Sequence, residues 1–144
     1  MIQVSWVIFI VQLVSSFMMI GIAWLVQMIN YPMFRNVPDV LFKEYHRTHL
    51  SRSQWVIGPL MLVEMVSAAY LLIWPIVQVK YALYVLNFFL IILIWLLTFI
   101  MHLPAHRNLQ EKHSLDAIDK LINWNWIRTI IWSLHGFVLI FILY

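Results

Sequence analysis

The chain contains no cysteine. That absence removes structural disulfides, thiolate metal sites and cysteine nucleophiles at once. Charge is nearly as scarce: Asp, Glu, Lys and Arg make up 10% of the 144 residues, while 64% are hydrophobic. A soluble globular domain carries about 25% charged residues, so water is not the main solvent of this chain. Neither HExxH nor the Glu-x-x-His pair of the soluble di-iron bundles occurs, which sets aside two familiar helical metal sites. Repeats, low-complexity tracts and linkers are absent as well.

What is present is apolar length. A spanning helix needs about 20 mostly apolar residues, and four segments qualify, at about 4–29, 54–77, 81–101 and 126–144. The expected fold is all-α: one integral membrane domain over residues 1–144, built as an antiparallel bundle of four transmembrane helices. The first segment lacks a basic leader and a small-residue cleavage pattern, so it reads as a retained helix.

The charges set an expected orientation. Arg35, Lys43, Arg47 and Arg52 fall in the first connection, and Arg107, Lys112, Lys120 and Arg128 in or beside the third, so eight of nine cations share one side. Cytoplasmic loops carry the Lys/Arg excess. Connections 30–53 and 103–125 are therefore expected in the cytoplasm and both termini on the other side of the cell (inner) membrane. The net charge of +3 is a consequence of this topology and does not argue for nucleic acid. Both connections are long enough for a short amphipathic helix. In the later one Leu115, Ile118, Leu121 and Ile122 recur at helical spacing behind Ser114, which has the character of a helix start, with Asp116 in the first turn. The middle connection, around Trp74, Pro75 and Lys80, is tight and makes its flanking helices neighbours.

Glu64 is the one formally charged side chain deep inside an apolar run. Ten residues into the second segment, it lies about 15 Å down, near the middle of a ~30 Å hydrocarbon core. An acid at that depth costs at least ~2.5 kcal/mol, so it should face the bundle interior, either protonated or partnered. It is then either polar glue between helices or a proton carrier, ligand or substrate-binding group. Depth arithmetic puts His135 at nearly the same level, and Glu64 with His135 forms the candidate catalytic pair. His135 also reads as a hydrogen-bonded core histidine.

Five of the six histidines lie toward the cytoplasmic ends. His46 and His49 are spaced i, i+3, and His102 and His106 are spaced i, i+4, each spacing stacking two side chains on one helical face. Two such pairs can offer four imidazoles to Fe, Cu, Zn or Ni, or serve as polar residues of the interface. Pro104 is expected to kink or end the helix between the second pair, and His113 reads as a solvated loop residue. A continuous helix would hold His46 and Glu64 about 27 Å apart. Gly58-Pro59 offers a place to bend one toward the other.

Gln27, Asn30, Asn125, Trp126 and Arg128 lie toward the same side and are candidates for substrate contact or support of the metal site, with Thr98 and Asn123 nearby. Arg128 also fits a snorkelling cation at the lipid interface. Trp24, Trp55, Trp124 and Trp126 suit an aromatic belt.

The stretches WLVQMINYPMF, YHRTH followed by GPLMLVE, HLPAHRNL and LINWNWIRTIIW together resemble the small four-helix bacterial membrane proteins of the anthrone-oxygenase-like family, over nearly the whole chain. The resemblance implies a lipophilic substrate and oxidative chemistry with dioxygen. A weaker similarity is to four-helix protoporphyrinogen oxidases that bind haem, whose first helix carries a histidine; residues 1–30 here carry none. The resulting expectation is a membrane oxidoreductase with a cytoplasm-facing metal or haem site and Glu64 handling a proton. A non-enzymatic carrier of ions, protons or small molecules and a structural membrane subunit are the other readings, and assembly as a homo-oligomer stays open.

Overall fold

The computed structural model describes residues 2–111 and 113–144; Met1 and Lys112, the latter counted among the cations above, lie outside the described residues. Four long helices form: α1 (Ile2–Asn36), α2 (Asp39–Ile73), α3 (Gln78–Glu111) and α4 (Leu115–Leu143), each with an apolar window long enough to cross a bilayer. No strand occurs among the described residues. At 1.5 Å per residue a 35-residue helix is about 52 Å long, roughly 20 Å more than a hydrocarbon core. Each of the longer helices can thus cross and also project.

The projecting parts correct the expectation of separate amphipathic helices in connections 30–53 and 103–125. α2 starts at Asp39 rather than near residue 54, and α4 starts at Leu115 rather than at residue 126. The cause is a stripe of inward positions that never breaks: Phe42, His46, His49, Ser53, Ile57, Met61, Glu64, Ala68 and Leu71, spaced three or four apart, are buried or half-buried along α2. Such spacing keeps one face on the bundle, while Lys43, Arg47 and Arg52 stay exposed on the other. Ser114 does cap α4, its side chain accepting the Ala117 N–H at 3.2 Å, and the helix then continues to Leu143. Gly58-Pro59 does not fold α2 back either; Pro59 sits inside an uninterrupted helix.

Pro104 does not end α3. The turn before it, Thr98–His102, widens into a π-turn, and Val26–Asn30 does the same in α1 just ahead of Pro32. A helical proline clashes with the carbonyl four residues earlier, here Met28 and Ile100. Both fall within the widened turns, which relieve the clash without breaking the helix. π-turns of this kind concentrate at functional sites.

Each helix packs on two others: α1 on α2 and α4, and α3 on α2 and α4. The core has two parts, one around Phe9, Met61, Leu71, Tyr84 and Trp132, the other around Phe34, Phe42, Leu109, Ile118 and Leu121. At the end far from the paired histidines, Lys80 Nζ donates to the carbonyls of Phe141 and Ile142 at 3.0 and 3.2 Å. The Tyr84 hydroxyl accepts the Ile76 and Val77 N–H groups, pinning the tight connection. α4 packs against the Ile20 side chain of α1 at Gly136, where an added Cβ would lie 2.5 Å from Ile20 Cδ1. Gly136→Leu will therefore destabilise the bundle by about 1–3 kcal/mol, read as a lower midpoint of thermal unfolding in detergent. Gly136→Ala will cost less, because the Ile20 terminal methyl can turn aside.

Candidate functional site

The two π-turns deliver Tyr31 and His102 to one point. The Tyr31 hydroxyl lies 2.7 Å from His102 Nε2 and 3.1 Å from His106 Nε2, and the two Nε2 atoms are 3.2 Å apart. On its other side, His106 Nδ1 is hydrogen bonded to His46 Nε2 at 2.9 Å. Tyr31, His46, His102 and His106 are all buried, and each ring is held by aromatic neighbours. His46 stacks on Phe42, and Phe34 meets it edge-on.

His49 stands apart from this network, its ring edge-on to Phe34 at 5.2 Å. It faces a cavity of about 260 Å³ between α2 and α3, which Tyr31, His102, His106 and Arg128 also line. The four histidines are thus grouped but not brought to one centre. Among the described residues, no three of His, Cys, Asp and Glu are placed to hold a single ion. The three-donor arrangement that exists includes a phenol, Tyr31, to which the histidine spacings gave no pointer.

The donor triangle can be tested for fit. A tetrahedral ion with donors at about 2.0–2.1 Å spaces them roughly 3.3 Å apart; of the observed edges of 2.7, 3.1 and 3.2 Å, the Tyr31–His102 edge must open by about 0.6 Å to reach that spacing and the other two hardly at all. Phenolate and imidazole suit iron, copper and zinc. The His46 contact then acts as the outer hydrogen bond that fixes which His106 nitrogen faces the metal. A haem held between His102 and His106 does not fit, because two imidazole nitrogens 3.2 Å apart leave no room for a macrocycle between them.

Beside the triangle lies an amide and guanidinium network. Asn125 Nδ2 donates to Gln27 Oε1 at 2.7 Å, Gln27 Nε2 donates to the Ile122 carbonyl, and Arg128 donates to Asn125 Oδ1 at 3.4 Å. Arg128 is 5% exposed, which overturns its reading as a snorkelling cation. Asn30 and Trp126 are outside this network: Asn30 lines an adjoining pocket that shares His49 and Ser53 with the main cavity, and Trp126 packs edge-on against Trp24. Trp24 and Trp55 are exposed as a belt requires, while Trp124 and Trp126 are half-buried. His113 is not a free loop residue, since it stacks on Phe42 at 3.8 Å and bonds Asp39 at 2.6 Å.

Glu64 and His135 form a second polar group in the apolar part of the bundle. Trp132 Nε1 donates to Glu64 Oε2 at 3.2 Å, and His135 Nδ1 lies 4.0 Å from Glu64 Oε1, too far for a direct hydrogen bond. Both nitrogens of His135, Glu64 Oε1 and the amides of Gln12 and Asn87 have no hydrogen-bond partner among the described protein atoms. Buried polar groups are rarely left so. About 27 Å of helix separates His46 from Glu64, so those two do not share an ion, although Trp132, the partner of Glu64, lines a small cavity together with Tyr31 and His102. A line of contacts still joins their ends, because the Arg128 guanidinium lies 5.0 Å over the Trp132 ring whose N–H meets Glu64.

Compared with known proteins, the chain matches no family model, no curated protein and no solved structure.

Proposed function

We propose that this chain is a multi-pass oxidoreductase of the inner cell membrane, in which Tyr31, His102 and His106 hold a transition metal next to a cavity for a lipophilic substrate. The observation that carries the reading is the buried triangle of one phenol oxygen and two imidazole nitrogens within 3.2 Å of one another, on the wall of a cavity of about 260 Å³. The helices run antiparallel in this reading. Its support is that Lys80 at the start of α3 meets Phe141 at the end of α4, while Gln27, late in α1, meets Asn125, early in α4. The cation-rich end faces the cytoplasm by the positive-inside rule, which puts the metal centre on that side.

An iron or copper ion bound there supplies one-electron exchange with dioxygen. The chain's own residues do the remainder. His46 fixes the orientation of the His106 ring, and the packed rings of Phe34 and Phe42 keep water from that side. Val26, Leu50, Ile57 and Leu103 give the cavity apolar wall for the body of a lipophilic molecule. Glu64 holds the ionisable carboxyl at the far end of that contact line, accepting the Trp132 N–H and facing His135 at 4.0 Å.

Protein purified in mild detergent is expected to hold close to one transition-metal ion per chain by elemental analysis, with an absorption spectrum free of a haem band. Metal-free protein after purification and incubation with iron, copper and zinc would sink this reading. The unpartnered Gln12, Glu64, Asn87 and His135 groups favour a second reading, a proton or ion carrier, whose signature is flux across reconstituted vesicles that Glu64→Gln abolishes. A purely structural subunit predicts neither metal nor flux.

A further inference from the structure

The Arg128 guanidinium is a buried charge that the protein leaves unanswered. Among the described residues it makes one long hydrogen bond, to Asn125 Oδ1, its Nε has no partner, and it makes no ion pair. The groups that line the cavity with it are neutral or basic on every helix: Tyr31 from α1, Ser53 and Gln54 from α2, and His102 and Arg107 from α3. Glu64 makes no ion pair with it; the Trp132 indole lies under the guanidinium at 5.0 Å and donates its N–H to the carboxylate. Removing one partner from a buried ion pair is strongly destabilising because it leaves an uncompensated charge. Here that situation is the resting arrangement, and the cation borders a cavity.

We propose that this cavity binds a small lipophilic acid, a carboxylate on a flat body of one or two rings, with Arg128 as its counter-ion. The planar fork of a guanidinium matches a carboxylate in bidentate fashion. A cavity of about 260 Å³ with Val26, Ile57 and Leu103 in its wall takes a ring system, whereas a hydrated inorganic ion would leave those apolar atoms uncovered. The inference rests on the oxidoreductase reading only in placing the acid beside His102 and Tyr31. A divalent ion there adds to the positive charge and makes an anion more necessary, while Arg128 calls for one with or without metal.

The test compares 2-naphthoate with 2-naphthalenemethanol, the same body without the charge, by titration calorimetry of full-length protein in an uncharged detergent. The acid is expected to bind at least about tenfold more tightly, Arg128→Gln to erase the difference, and Arg128→Lys, which keeps the charge but loses the fork, to reduce it several-fold. Arg47→Gln, exposed on the outer face of α2 and away from the cavity, should change it by no more than about twofold. Equal binding of acid and alcohol, or an acid preference unchanged in Arg128→Gln, overturns the proposal. If Arg128→Gln does not fold, Arg128→Lys and the relative thermal stabilisation of wild type by the two probes decide the matter in the same terms. Loss of the acid preference on chelation of the metal would also overturn it, leaving the metal reading intact. Persistence of the preference in protein that never binds metal supports it independently. Nanodiscs separate the sources of the anion. Naphthoate binding in both phosphatidylcholine and phosphatidylglycerol discs supports a small acid, and abolition by phosphatidylglycerol alone assigns the site to a lipid headgroup and overturns it.

Discussion

With a metal held as proposed, His106→Ala is expected to lower metal content more than any other single substitution in the histidine cluster. The ring does two things at once: its Nε2 faces Tyr31 and His102, and its Nδ1 bonds His46. Its removal deletes a donor and releases the outer partner together, so the loss should exceed the 10–100-fold typical of an outer partner alone. His46→Ala should fall within that 10–100-fold range, because His46 touches the centre only through His106. Tyr31→Phe keeps the ring packing against Phe34 and deletes one oxygen, so its effect should approach that of His106→Ala. His49→Ala, whose ring faces the cavity rather than the donor triangle, should change affinity by no more than about threefold. Metal content per chain after dialysis against a competing chelator, with helicity checked by circular dichroism, gives the ranking. If His49→Ala and His46→Ala lose metal as fully as His106→Ala, the ligand set is four imidazoles and the triangle is only a hydrogen-bond network.

That ranking turns on Tyr31, which the sequence announced only indirectly. Four apolar runs were legible because 18-residue apolar windows have no other comfortable solvent, and the matching depths of Glu64 and His135 came from rise per residue alone. The lengths of the helices were not. Charges at Lys43, Arg47, Arg52, Lys120 and Glu111 looked like loop, yet they occupy only the outer face of helices whose inner face stays apolar or aromatic. Counting inward positions from Phe42 to Leu71 as one series would have joined them. The readable trace of Tyr31 was the parallel between Asn30-Tyr31-Pro32 and His102-Leu103-Pro104: two prolines, each just beyond a turn that must widen. A π-turn adds a residue and so rotates the rest of its helix, which no count at 3.6 residues per turn reproduces. The burial of Arg128 was hidden for a different reason. A cation 13 residues beyond the start of α4, at the edge of that helix's apolar run, looks interfacial until the packing of α1, α2 and α3 around it is known.

Glu64→Gln will leave the fold and the metal in place and remove the chemistry. Glutamine has nearly the volume of the acid and keeps an oxygen to accept the Trp132 N–H now held at 3.2 Å, so the stability change should stay within about 1 kcal/mol, the scale of hydrogen bonds inside membranes. Glu64→Ala differs in kind. It opens a cavity, strands the indole N–H and leaves His135 facing nothing, and these together should cost about 3–5 kcal/mol. Stability therefore separates the two variants. Function should not: both lose the ionisable carboxyl, and if it transfers a proton in the reaction, dioxygen uptake with anthrone as a lipophilic probe should fall about 100-fold or more in each. Metal content should be unchanged in Glu64→Gln, because Glu64 makes no hydrogen bond to Tyr31, His102 or His106 and its Trp132 bond is kept. A glutamine variant as active as wild type would make Glu64 a hydrogen-bonded strut between α2 and α4. An inactive variant that has lost proton flux in vesicles while wild type shows no metal would move the function from oxidation to transport. Glutamine is the decisive substitution because it preserves the Trp132 hydrogen bond and changes only whether position 64 can release a proton toward His135, 4.0 Å away.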